Sequence, residues 1–151
     1  MPTLSEFRIA DVLMYLIDTN VISEIRKKGR ANPGVISFFE QSGPDHQCYL
    51  SSVTIGELRR GVELIRHRGD LHQSLLLESW LDILLLDYKQ KILEFDTDIA
   101  QVWGRLRAPH AQNPLDKQIA ATALVHGLAV VTRNTADFEG TGVQCLNPFA
   151  S

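Results

Sequence analysis

Short apolar runs alternate with amphipathic stretches along almost the whole chain. Tyr15-Leu16-Ile17 is uniformly apolar and stops at three small polar residues, Asp18-Thr19-Asn20. "NVISEIRKK" then reads as a short helix capped by Thr19 or Asn20. "NPGVISFFEQS" reads as a second helix, opened near Pro33. "CYLSSV" is predicted as a strand, with a helix from Thr54 through "IGELRRGVELIRHR". In "LHQSLLLESWLDILLLD", Leu76, Trp80 and Leu84, and Leu77 and Leu81, recur at helical spacing. "KILEFD" is a strand and "TDIAQVWGRLR" a helix. "NPLDKQIAATALVHG" is a helix with an Asn113-Pro114 start and a Gly127 stop. "LAVVTRN" and "VQCLN" close the set as strands.

Strands alternating with helices imply a parallel sheet covered on both faces. The strands are apolar without clear alternation, as strands buried on both sides should be. The expected fold is a three-layer α/β/α domain with a short, mostly parallel central sheet. Residues 14–151 form that single domain, and residues 1–13 read as an N-terminal extension, with Met14 as an alternative start. Ligands of such sheets bind outside the carboxyl ends of the strands, which is where Asp18 stands.

Composition changes this picture little. An apolar fraction of 44% is enough for a core without staples. Cys48 and Cys145 lack CxxC spacing and read as buried thiols in a reducing compartment. No apolar run reaches the roughly 20 residues of a membrane span, and there is no signal pattern, so a cytoplasmic protein is expected. The net charge of −3 excludes attraction of nucleic acid by bulk charge. Basic residues nevertheless cluster at Arg26 to Arg30 and from Arg59 and Arg60 to Arg68.

Acidic residues recur at strand ends: Asp18 after the first, Glu57 past the second, Asp137 after "TRNTA", with Asp116 opening the late helix. Each has a structural explanation. Thr54 and Glu57 fit a capping box. Asp116 suits the positive end of a helix. Asp18 can cap and Asp137 can turn. Together they would converge on one cleft, where each like-charged pair at about 4 Å costs on the order of 4 kcal/mol. A divalent cation relieves that repulsion, and oxygen donors suit Mg²⁺ or Mn²⁺. The scattered histidines argue against zinc. No phosphate-binding glycine loop and no GxGxxG motif is present.

"LIDTNVISE", "SSVTIGELRRGV", "DKQIAATALVHGLAVVTRNTADF" and "LNPF" together resemble the PIN-domain ribonucleases, and more closely the VapC/FitB toxins of bacterial toxin–antitoxin pairs. The resemblance runs from about Met14 to Phe149. It implies a metal-dependent endoribonuclease with Mg²⁺ held by Asp18, Glu57 and Asp116. The fourth acid of the family pattern falls on Asn134, a departure, and Asp137 is the substitute. Asn20, Thr132 and Asn134 are the polar neighbours of the pocket. The resemblance further implies a cognate antitoxin that blocks the cleft and a homodimer; surplus apolar surface in "LLLESWLDILLL" suits an interface. Arg59, Arg60 and the Arg26–Arg30 loop are candidates for guiding RNA. The alternative is a non-catalytic metal- or partner-binding module of a DNA-binding toxin–antitoxin complex. An aspartyl phosphatase would want an acid at Asn20, and a receiver domain a lysine where Arg133 stands.

Overall fold

The computed structural model describes residues 14–42 and 47–151; the extension at residues 1–13 and His46 lie outside them. Five strands form one sheet: β1 (Tyr15–Ile17), β2 (Cys48–Ser51), β3 (Ile92–Leu93), β4 (Ala129–Val131) and β5 (Cys145–Leu146). Their order is β3-β2-β1-β4-β5, and every pairing is parallel. The helices are α1 (Thr19–Ile25), α2 (Pro33–Ser42), α3 (Ser52–His67), α4 (Leu71–Asp87), α5 (Thr97–Arg107) and α6 (Pro114–His126). Short 3-10 turns cover Lys28–Arg30 and Thr135–Phe138.

Side chains of neighbouring strand residues leave the sheet on opposite faces. Ile17, Leu50 and Val131 pack into one core with Val21, Ile22, Val35, Phe38, Leu58, Val62, Leu81 and Leu84. Leu16 and Val130 enter the other core with Ile119, Ala120, Ala123, Leu128 and Phe138. The first core is roofed by α1 to α4 and the second mainly by α6, which α5 flanks. The three-layer expectation therefore holds, with both faces of every central strand buried. At roughly 1.5–3 kcal/mol per buried aliphatic side chain, these two cores dominate folding.

The strand order puts β1 centrally, with β2 and β4 as its neighbours. The chain leaves β1 toward β2 and later crosses to β4, so the switch point lies at β1 and β4, where an open crevice forms at the carboxyl edge. Tyr15, Leu16 and Ile17 pair with Ala129, Val130 and Val131, and the Asp18 amide continues the ladder by donating to the Val131 carbonyl at 2.9 Å.

Helix α4 departs from a one-sided pattern. Its apolar residues surround the axis, and Leu71, Leu75, Leu76, Ile83 and Leu86 are exposed. No helix among the described residues is long and apolar enough to cross a membrane.

Candidate functional site

Asp18 is buried at the end of β1, only 5% exposed. It is the N-cap of α1: its Oδ1 accepts from the Thr19 amide at 2.8 Å. The caps expected at Thr19 or Asn20 shift by one or two residues, because the cap must keep extended backbone, and Asp18 does. The other oxygen, Oδ2, accepts from the Thr132 hydroxyl at 2.8 Å and from Asn20 Nδ2 at 3.4 Å. Asn20 Oδ1 in turn accepts the Arg133 amide at 3.1 Å. Asn20 and Thr132 thus both contact Asp18 and link β1 to β4. Asn134 joins only through its backbone amide, which donates to the Thr132 hydroxyl at 3.1 Å.

Glu57 requires a correction. Helix α3 starts at Ser52, with Ser51 Oγ accepting from the Val53 amide at 3.0 Å. Thr54 is therefore inside the helix, buried, with a hydroxyl that has no hydrogen-bond partner among the described residues. The Thr54–Glu57 capping box does not form, because Ser51 already caps three residues earlier. Glu57 is left free to face α1, where its carboxylate accepts from the Thr19 hydroxyl at 2.8 Å. Losing the cap explanation strengthens the case for a role in the cleft.

Asp116 is the third residue of α6, behind an Asn113 in the left-handed region and Pro114. Asn113 makes no side-chain cap bond. Asp137 lies in the 3-10 turn after β4. Lys117 is a residue the sequence reading missed. It is buried beside Asp116, and its Nζ donates to the Asp137 carbonyl at 3.2 Å. The signal was present: a lysine inside the apolar face of "DKQIAATA" must find a buried acceptor.

Asp116, Asp18 and Glu57 are each shifted toward the protonated form. Burial pushes the Asp116 carboxyl up to about 6, and the negative charges of Asp18, Asp137 and Glu57 add to it. Asp18 is raised by burial first, with Asp137 adding and the Thr132 and Thr19 donors opposing. Glu57 is raised by burial and by Asp18, against the Thr19 hydroxyl and Arg60. Among the described residues, no three His, Cys, Asp and Glu side chains are set closely enough to enclose a metal ion. The donor set still fits a hard cation: all oxygen, mutually repelling and partly desolvated. Mg²⁺ commonly binds through one or two carboxylates and keeps several waters, so a closed cage is not needed.

Of the basic candidates, Arg59 is bound to Glu78 at 2.6 Å within an ion network that also holds Arg66 and Glu63. Arg60 is exposed on the side of Glu57. An apolar groove of about 500 Å³, lined by Ile22, Ile25, Phe39, Trp80, Leu84 and Tyr88 among others, contains none of the four acids.

Fold and site together define an α/β/α protein with buried and half-buried acids near the carboxyl edge of a parallel sheet. The PIN domain matches residues 15–142, and the chain belongs to that family. It is 34% identical over 144 residues to Toxin FitB of Neisseria gonorrhoeae, covering 90% of this chain and 99% of FitB. It is 32% identical over 143 residues to a VapC ribonuclease of Sinorhizobium fredii, covering 90% and 98%. Among solved structures, FitAcB from Neisseria gonorrhoeae superposes with a TM-score of 0.76 at 33% identity, covering 89% of this chain and 98% of that one.

Proposed function

We propose that this chain is a Mg²⁺- or Mn²⁺-dependent endoribonuclease and the toxin half of a toxin–antitoxin pair. The reading is carried by the buried Asp18 at the end of β1, with Glu57 brought to α1 by the Thr19 hydroxyl and the charges of Asp18, Asp137 and Glu57 felt at Asp116. A fold does not gather like charges in a half-buried cleft for capping alone. The relatives named as a toxin and as a ribonuclease support the same class.

Asp18 and Asp116 would hold the cation, with Glu57 and Asp137 as further ligands directly or through water. The cation supplies positive charge against the charge that develops on a phosphodiester and makes water a better nucleophile. The chain's own groups do the rest. Thr132 and Asn20 fix the Asp18 carboxylate in one rotamer. Thr19 holds Glu57 toward the cleft, where its carboxylate can take a proton from the attacking water. Arg60, exposed and without a salt bridge among the described residues, is the candidate to draw the RNA backbone toward this edge. The exposed leucines of α4 are the candidate face for a second copy, and a cognate antitoxin covers the cleft until release.

The test is RNA cleavage by the purified chain with Mg²⁺ or Mn²⁺, with and without chelator, beside Asp18→Asn. Chelator-sensitive cleavage that Asp18→Asn abolishes, in a folded protein, is the expected result. Cleavage indifferent to chelator, or undiminished in Asp18→Asn, removes the proposal. Absence of cleavage of any RNA favours the regulatory module instead.

A further inference from the structure

Arg133 occupies an unusual position. It follows Thr132, whose hydroxyl donates to Asp18, and its own amide donates to Asn20 at 3.1 Å. Its backbone is therefore fixed at the lip of the acidic cleft, while its side chain is exposed. The guanidinium carbon lies 4.7 Å from the centre of the Phe149 ring.

The ring is itself held from several sides. It packs against the core roofed by α1 to α4. Asn147 Oδ1 accepts the Phe149 amide at 3.0 Å. Asn32 clasps the next residue, its Oδ1 accepting the Ala150 amide at 2.8 Å and its Nδ2 donating to the Ala150 carbonyl at 3.0 Å. Gly34 permits this approach, since a Cβ there would run into the Pro148 carbonyl and the Ala150 amide. These contacts hold one phenyl ring under one arginine. An exposed cation–π contact is worth only about 0.5–1 kcal/mol, so stability alone explains the arrangement poorly.

Charge gives a better reason. Lys27, Arg59 and Arg66 each have a carboxylate within salt-bridge distance. Arg133 has none among the described residues, although Glu24 is near enough to feel it. A polyanion entering a cleft of four acids needs opposite charge at its lip. A guanidinium with one face on a ring keeps its planar N–H edge for two phosphate oxygens. Its other face remains open to an unpaired base.

We propose that Arg133, laid on Phe149, clamps a phosphodiester of single-stranded RNA beside the one that is cut, with Phe149 as the positioning residue. This rests on the nuclease reading above. The experiment is steady-state cleavage of a short single-stranded RNA over a series of KCl concentrations, for the unaltered chain, Arg133→Gln, Arg133→Lys and Phe149→Leu. Arg133→Gln should raise KM roughly tenfold to a hundredfold, leave kcat within about twofold, and flatten the logarithmic salt slope by about 0.7. Arg133→Lys should keep the salt slope while recovering only part of the KM, because the planar edge is gone. Phe149→Leu should raise KM by less, again with kcat kept. If the unaltered chain cleaves and Arg133→Gln leaves KM and salt slope unchanged, the clamp is overturned and the nuclease reading stands. A loss in kcat with KM unchanged also overturns it, since Arg133 would then only support Asn20 and Asp18. No cleavage by the unaltered chain removes both.

Discussion

Replacing Asp116 with Asn should make the cation-free protein more stable near neutral pH. Burial, then Asp18, Asp137 and Glu57, hold this carboxyl at about 6 in the folded chain. In an unfolded chain an aspartate titrates near 3.9. Because the folded value is the higher one, the stability involved is fully present below about pH 3.9 and is lost as pH rises through about 6. The difference corresponds to about 3 kcal/mol without screening, and solvent around this half-buried group reduces it to on the order of 1–2 kcal/mol once it is ionised in both states. Asn removes that penalty. It also removes a favourable charge at the third residue of α6, worth about 0.3–1 kcal/mol. Burial and like charge together outweigh the dipole, so the net gain should be about 1 kcal/mol, or roughly 2–4 °C in Tm for a chain of this size. Circular dichroism melting in chelator reads it, near pH 4 and near pH 7.5. The variant's advantage should be present at the higher pH and close toward the lower. Adding Mg²⁺ should raise the unaltered chain more than the variant. If Asp116→Asn melts at or below the unaltered chain in chelator at neutral pH, or if the gap ignores pH, the four acids do not crowd one another and the reading of the cleft fails.

Thr132→Val keeps the shape but removes the hydroxyl that donates to Asp18 and accepts from Asn134; it should cost about 1.5–3 kcal/mol by chemical denaturation. Thr54→Val should do the opposite, because its buried hydroxyl has no partner among the described residues; a gain of about 1 kcal/mol is expected, and a loss would mean that a water satisfies it. Gly34→Ala should lower Tm by several degrees, on the order of 1–3 kcal/mol, by forcing the Pro148–Ala150 backbone off α2; an unchanged melt would mean that this segment yields freely.

Much of the fold could be read because its signals are local. The apolar runs of β1, β2 and β4 are buried on both faces and so need no alternation. Pro33, Asn113-Pro114 and Gly127 mark helix ends by backbone chemistry that tertiary packing did not override. The Thr54 cap was misplaced for a physical reason: Ser51, Ser52 and Thr54 are all competent caps, and only the register of β2 with β3, Ser51 against Leu93, decides which keeps extended backbone. The acids were visible, and so was their placement near the carboxyl ends of the strands. Their supports were not. That Thr19 turns its hydroxyl to Glu57, thirty-eight residues away, depends on the angle between α1 and α3. Lys117 lies in an apolar helical face, which hints at burial, but neither its acceptor on Asp137 nor the ring beneath Arg133 can be read from the chain.

The supports also offset part of the repulsion among the acids. Thr132 and Thr19 each donate a charge-assisted hydrogen bond to an acid, worth on the order of 1.5–3 kcal/mol. The N-terminus of α6 favours Asp116 by less than that. Lys117 sets a positive charge beside it. These terms offset the repulsion but leave Asp116, Asp18 and Glu57 all shifted toward the protonated form. If the site holds a cation as proposed, its binding would release the remaining strain. A cation present at a hundred times its Kd would stabilise the fold by about 2.7 kcal/mol. It follows that substitutions which relieve the crowding should weaken the grip on the cation by a comparable factor. Stability without metal and affinity for metal should move in opposite directions across changes at Asp18, Glu57 and Asp116.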